Sequence, residues 1–325
     1  MKKNTLIAAV LFIALAGISF GAGSQDAGSK DAEVTRLRMA TGGPTGTYYA
    51  FGSAVAQILS EKTKIPMPVQ STGASVANIQ LIDSGDVEIA IVQNDTMDYA
   101  ARGLEQFSSG KINSFSAVAA VYAEVCHIVV SASSGIKSVA DLRGKNVSVG
   151  DVGSGTEINA RHILDAYGLS YNDIRVQNLG VGPSADALRD NKIDAFLFTA
   201  GAPTAGITDL ASNRDIVLLE IDDAHAAQLK AKYPSYTQYA IPAATYKGMT
   251  TAVNTVAIKA TFIVSNKLSE NTVYTITKAL FESKAEIELA HAKGKELTLA
   301  YAVDGIPVNF HPGALKYFKE VGAIK

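Results

Sequence analysis

The stretch "ATGGPTGTYYAFGSAVAQIL", residues 40–59, sets four glycines and three threonines around the start of an apolar run. A glycine-threonine loop running straight into a helix leaves backbone amides unpaired at the helix N-terminus, and such a terminus seats anions. A phosphate-binding P-loop would place Lys-Ser/Thr after its last glycine. Here Gly46 is followed by Thr47-Tyr48, so the loop offers amides and hydroxyls but no lysine. That suits a carboxylate or another small polar group as well as a phosphate. In a plainer reading Gly42, Gly43 and Gly46 turn the chain, and Thr45 or Thr47 caps the helix.

The surrounding chain repeats this arrangement. Apolar β-branched runs "LRMATG", "PVQSTG" and "EIAIVQ", and later "KNVSVG", "IRVQNLG" and "DAFLFTAG", each precede a polar or glycine turn and a 3.6-period segment. This is the βαβ signature of a mostly parallel sheet covered on both faces. Val69-Gln70 and Gly73 recur as Val176-Gln177 and Gly180 (176 − 69 = 107), while Gly46-Thr47 recurs as Gly155-Thr156 (155 − 46 = 109). A near-constant offset across several loops points to two similar lobes. Two long β-rich runs, "AVAAVYAEVCHIVVSAS" and "TTAVNTVAIKATFIVSN", would join them as a hinge. The expected fold is therefore α/β and two-lobed, with lobe I at 36–130 plus 250–325 and lobe II at 131–249. Helices near 273–291 and 312–321 would complete lobe I. Ligands of open α/β sheets bind beyond the carboxyl ends of the strands, so facing glycine loops predict a cleft.

The N-terminus bears on the compartment. Met1-Lys2-Lys3, the apolar run Leu6–Leu15 and the small residues Ser19-Phe20-Gly21 read as a secretory signal peptide over 1–21. Residues 22–35 are small and polar, a flexible lead-in. Removing 1–21 takes away two lysines and moves the formal charge from −2 to −4. A mildly acidic chain with no basic run is no nucleic-acid binder. The single Cys126 cannot form an internal disulfide and reads as a small core residue. The 325 − 21 = 304 remaining residues exceed one typical core.

Other loops carry polar groups at the expected cleft. Thr72-Gly73-Ala74-Ser75 opens the second helix, with Asn78 one turn on. Gln93-Asn94-Asp95 ends the third strand, and Asp95 could cap the helix that follows. Ser154-Gly155-Thr156-Glu157 fits a capping box, Ser-x-x-Glu, yet "GDVGSGT" holds more glycine than a cap needs. Gly180-Val-Gly182-Pro-Ser-Ala185 fits G-x-G-x-x-A, but Thr199 and Gly201 stand where a ribose-binding acid should end the next strand. Catalytic patterns are poor. The one G-x-S-x-G, Gly17–Gly21, lies in the signal peptide, and the five histidines lack metal-ligand spacing. No catalytic residue, metal or cofactor is expected.

In combination, "GGPTGTYYAFG", "STGASVANIQLIDSGDVEIAIVQND", "VSVGDVGSGT", "KIDAFLFTAGAP" and "FHPGALKYFKEVG" resemble the TAXI family, extracytoplasmic solute-binding proteins of TRAP transporters. The resemblance covers roughly residues 36–325. It implies a type II periplasmic-binding-protein fold, a periplasmic location and delivery of a glutamate-like or dicarboxylate solute to a membrane permease. The family's ligand loops map onto Tyr49, Thr72, Gly73, Ala74, Ser75, Asn78, Gln93, Ser154, Gly155, Thr156 and the Gly201-Ala202-Pro203 turn. Thr47 joins them from the opening loop. None of these loops carries the arginine with which the other TRAP binding-protein class clamps a carboxylate. The expected chain is thus a monomeric, non-enzymatic solute carrier. Its alternatives are an exported hydrolase or transferase using the same cleft, and a ligand sensor for a receptor.

Overall fold

The computed structural model describes residues 34–325, so the signal peptide expected at 1–21 and nearly all of the lead-in lie outside the described residues. The described residues run β1 (Met39–Ala40), α1 (Thr47–Thr63), β2 (Val69–Gln70), α2 (Ser75–Ser84), β3 (Ile89–Gln93) and α3 (Asn94–Arg102). The long β4 (Phe115–Ser131) follows. Next come β5 (Asn146–Ser148), α4 (Gly155–Ala166), β6 (Arg175–Gln177), α5 (Val181–Arg189), β7 (Ala195–Ala200), α6 (Ala205–Asn213), β8 (Ile216–Leu218), α7 (Asp223–Lys232) and β9 (Thr237–Ile241). The return strand β10 (Val253–Ser265) leads into α8 (Glu270–Glu282), α9 (Lys284–Ala290), α10 (Leu299–Val303) and α11 (Pro312–Glu320).

The repeat read from the sequence appears in the strand order. β1 pairs in parallel with β2 and β3 through Met39, Val69 and Ile89. β5 pairs in parallel with β6 and β7 through Val147, Val176 and Ala195. Both halves therefore run second–first–third strand, with Val69 and Val176 at equivalent places. The strands are short because the chain turns into a helix as soon as each run ends; β1 and β2 hold two residues each.

The ten strands form one sheet, ordered β2-β1-β3-β10-β4-β7-β5-β6, with β8 on β4 and β9 on β10. β4 and β10 are antiparallel and run through both halves. The early part of β4 lies against late β10, which borders β3, while Val125–Val130 pairs with β7. Register shifts at Ala260/Thr261 and Phe262/Ile263 bend β10 along this shared stretch. These are the two long connecting strands expected from the sequence. The fold is α/β and two-lobed, with mixed strands and helices on both faces.

Separate cores support the lobes. Beneath α1, residues Phe51, Val55 and Leu59 recur at helical spacing and pack on Met39, Ile91 and Phe262. Phe51 is fully buried and meets Tyr122 edge-on at 5.0 Å between ring centroids. A second cluster joins Val147, Ile163, Leu164 and Tyr236 under α4 and α7. Cys126 sits in it as a buried free thiol, as expected. The helix expected over 273–291 is two helices: Ser283 breaks it with φ −94° and ψ 13°, which lets α8 pack on α11 while α9 turns onto α1. His311 caps α11 by accepting from the Gly313 amide. Among the described residues no helix is long and apolar enough to cross a membrane.

Candidate functional site

A cavity of about 600 Å³ lies where the loops of both halves meet. Five helices begin at its wall. Gly46 and Thr47 open α1, Ala74 and Ser75 open α2, Gln93 precedes α3, Ser154–Thr156 opens α4, and Gly180 with Val181 opens α5. Each terminus presents unpaired amides and about half a positive charge from its aligned peptide dipoles. The repeated strand–loop–helix unit causes this convergence, because every parallel strand hands its chain to a helix at the same sheet edge.

Nine of the residues expected from the sequence line this cavity: Thr47, Thr72, Gly73, Ala74, Ser75, Gln93, Ser154, Gly155 and Thr156. The structure places Tyr49, Asn78, Gly201 and Pro203 outside the wall. Asn78 is fully buried behind it, where its Nδ2 donates to Thr41 O at 2.7 Å and Ile91 O at 2.8 Å, tying α2 to the strands. Gly201 supports the wall by accepting from Thr47 Oγ1 at 3.0 Å. Tyr49 is half-buried, one residue past the wall residue Tyr48, and Pro203 is exposed beyond a cis peptide bond.

The hydroxyls divide by role. Ser75 does not cap α2; its Oγ accepts from the buried Gln93 amide at 3.1 Å and lies 3.5 Å from Tyr48 Oη. Thr156 Oγ1 accepts from Thr199 N at 3.2 Å. Ser154 does cap, accepting from Glu157 N, but Glu157 forms no reciprocal bond. Its carboxylate instead takes Arg161, Gln106 and Tyr171, so the capping box is half formed. Asp95 lies inside α3 rather than capping it, and accepts from Asn159 of α4 at 2.9 Å. Burial pushes its carboxyl up to about 6 against these hydrogen bonds.

The two halves are closed on each other at the cavity. Ala77 N donates to Gly153 O at 3.3 Å, and Gly206 N to Thr45 O at 3.1 Å. Two glycines permit the approach. A Cβ on Gly155 would stand 1.8 Å from Gln93 Oε1, and one on Gly182 would stand 2.9 Å from Thr45 Oγ1. Gly150 and Gly153 complete "GDVGSGT" at φ of 94° and 77°, and a Cβ on Gly180 would stand 2.7 Å from Asp151 Oδ2, so each glycine of these loops has its own reason.

Several wall residues were not singled out in the sequence: Tyr48, Glu124, Asp151, Asn178 and Phe198. Glu124 is 1 % exposed and accepts from Tyr48 Oη at 2.7 Å. Burial pushes its carboxyl up to about 8, opposed by the Tyr48 hydrogen bond. Burial also raises Asp151, tempered by the Gly180 amide. Glu124 had a signal available, since it is the one acidic residue in the apolar run of β4. Among the described residues the wall carries no Lys, Arg, His or Cys. No cluster of His, Cys, Asp and Glu suited to a metal occurs among the described residues. The arrangement can therefore seat a small anion on amides and hydroxyls, with two carboxyls beside it.

Residues 39–322 match the NMT1-like family. Among solved structures, the chain is similar to a protein of Bordetella bronchiseptica RB50, with 17% identity, 90% of each chain covered and a TM-score of 0.55. It is similar to the alkanesulfonate-binding protein SsuA from Xanthomonas axonopodis pv. citri bound to MOPS, with 16% identity, 90% of this chain and 86% of that one covered, and a TM-score of 0.51. The GluR0 ligand-binding core from Nostoc punctiforme in complex with (L)-glutamate gives 16% identity, coverage of 80% and 100%, and a TM-score of 0.50. At such identities the likeness is one of fold.

Proposed function

The chain belongs to the NMT1-like family, and from that premise we propose that it is a periplasmic solute-binding protein that closes on a small carboxylate. One observation carries this reading: five helix N-termini from two lobes converge on one cavity with no Lys, Arg or His in its wall. Amides held by rigid helices bind a carboxylate without the entropy cost of ordering a long cationic side chain. Lobe I comprises 36–130 with 250–325, and lobe II comprises 131–249. The closed state alone brings Ser75 and Thr156 to one ligand, so ligand binding shifts the population toward it. The TAXI resemblance adds the destination, a TRAP permease driven by an ion gradient, and a glutamate-like or dicarboxylate cargo. Related folds solved with MOPS and with L-glutamate are consistent with an acidic ligand. In this reading the chain acts as a monomer and releases its solute chemically unchanged.

Native mass spectrometry of the folded chain, followed by a thermal-shift screen of sugars, cationic amino acids and carboxylates, tests the reading. The expected result is one bound carboxylate per chain and stabilisation by carboxylates. Stabilisation by sugars alone, or turnover of the bound molecule, would contradict it.

A further inference from the structure

Away from the cavity wall, α4 makes a second set of contacts across the lobes that gripping a solute does not require. Ile158, from lobe II, is buried in one cluster with Val92, Tyr99 and Phe107 of lobe I. Asn159 Nδ2 donates to Asp95 Oδ2 at 2.9 Å, and Gln106 Nε2 donates to Glu157 Oε2 at 2.6 Å. Arg161 lies one turn after Glu157 and reaches both Glu157 at 2.7 Å and Glu105 at 3.4 Å. Glu157 thus forgoes the capping box that its position invites, and its carboxylate bridges to the other lobe instead.

The same seam holds groups that oppose closure. Gln106 Oε1, Asn159 Oδ1 and His162 Nε2 are buried without hydrogen-bond partners. Glu105 has φ 50°, in the left-handed region that a residue with a Cβ seldom enters. A permanent interface satisfies its buried polar groups, whereas one that opens returns them to water. Resting on the two-lobed carrier proposed above, we infer that α4 and the turn Glu105–Phe107 form a latch that holds the empty chain near balance between closed and open. Gln106, Glu157 and Arg161 are its positioning residues. The α4 N-terminus belongs to both the latch and the solute grip, so a solute bound there tips the balance with a small difference in affinity between the two states.

X-ray scattering of the empty chain tests the latch without any solute. Gln106→Glu keeps the side-chain size but sets a carboxylate against Glu157, so the profile should expand from that of the parent chain. Gln106→Glu combined with Glu157→Gln exchanges amide and carboxylate across the seam. It should return most of the way to the parental profile, which a mere loss of fold stability would not do. Isothermal titration with L-glutamate as the probe should show about 10-fold weaker binding by Gln106→Glu, the scale of one charge-assisted hydrogen bond, with recovery in the exchange variant. An unchanged or more compact Gln106→Glu profile overturns the latch, and so does an exchange variant that stays expanded. Tighter binding of the probe by Gln106→Glu would place the contact in the open state and overturns it too. Absence of L-glutamate binding by the parent chain, with the scattering profiles as expected, counts against a glutamate-like cargo and leaves the latch standing.

Discussion

Substituting Gly155 by alanine should uncouple ligand binding from lobe stability. An ideal Cβ at this position stands 1.8 Å from Gln93 Oε1 and 2.3 Å from Gln93 Cδ. Ordinary carbon contacts lie near 3.5 to 4 Å, so one partner must move by about 1.5 Å or more. Gln93 is 2 % exposed and its backbone amide is held by Ser75, so its side chain can leave only by swinging into the cavity it lines. Either Gln93 then takes up ligand space or the α4 N-terminus backs away, which opens the seam between the halves. Overpacking of this kind costs about 1–3 kcal/mol. Because the clash exists only when the seam is closed, that cost falls on closure and hence on ligand affinity, a loss of about 5- to 150-fold. The φ of Gly155 is negative, so alanine adds no backbone strain. Titration of the co-purified ligand gives the affinity, and X-ray scattering of the empty chain gives the opening. Gly155→Ala combined with Gln93→Ala should restore the compact scattering profile without restoring full affinity. A single variant that binds within twofold of the parent and scatters identically would refute the reasoning.

Ser75→Ala strands the buried Gln93 amide, so the empty protein should lose about 1–3 kcal/mol, read as a melting temperature lower by a few degrees. Ser154→Ala removes a helix cap and should cost about 1 kcal/mol by the same measurement. The folded Glu124 carboxyl at about 8 lies above its ordinary value of 4.5, so the folded state binds more protons between the two. Its contribution is full below pH 4.5 and is lost as pH rises through 8. Asp95 behaves alike but only up to about 6, and His127 and His162, lowered to about 4 and 3, change above those values only up to 6.5. Melting temperatures of the empty protein should therefore fall between pH 6.5 and 8, and Glu124→Gln should flatten that window; an unchanged slope would remove Glu124 as its cause. The secreted chain should begin between Ala22 and Gln25, read by N-terminal sequencing.

The sequence made the architecture legible because the repeated unit is local. Glycine and threonine after a β-branched run mark the loop whatever the distant chain does, and Thr47, Ser75 and Thr156 follow from that pattern alone. What escaped depends on contacts distant in sequence. Asn78 looks polar and one helical turn from the cleft, yet its amide ties Thr41 to Ile91 behind the wall. Glu124 sits mid-strand among apolar residues, where the sequence does not reveal that Tyr48, 76 residues earlier, holds its carboxyl. β8 and β9 were unread because neither is followed by a glycine loop like those of the repeat. The split at Ser283 was invisible because the 273–291 segment keeps its helical apolar spacing across the break.

In the proposed carrier, helix N-termini from both lobes grip one solute. A crystal structure of the chain with the molecule it carries tests this most directly. A carboxylate is expected within hydrogen-bond distance of the backbone amides at the starts of α2 and α4, between Ser75 and Thr156. A ligand held by one lobe alone, or one whose anionic group lies away from both helix starts, would contradict it.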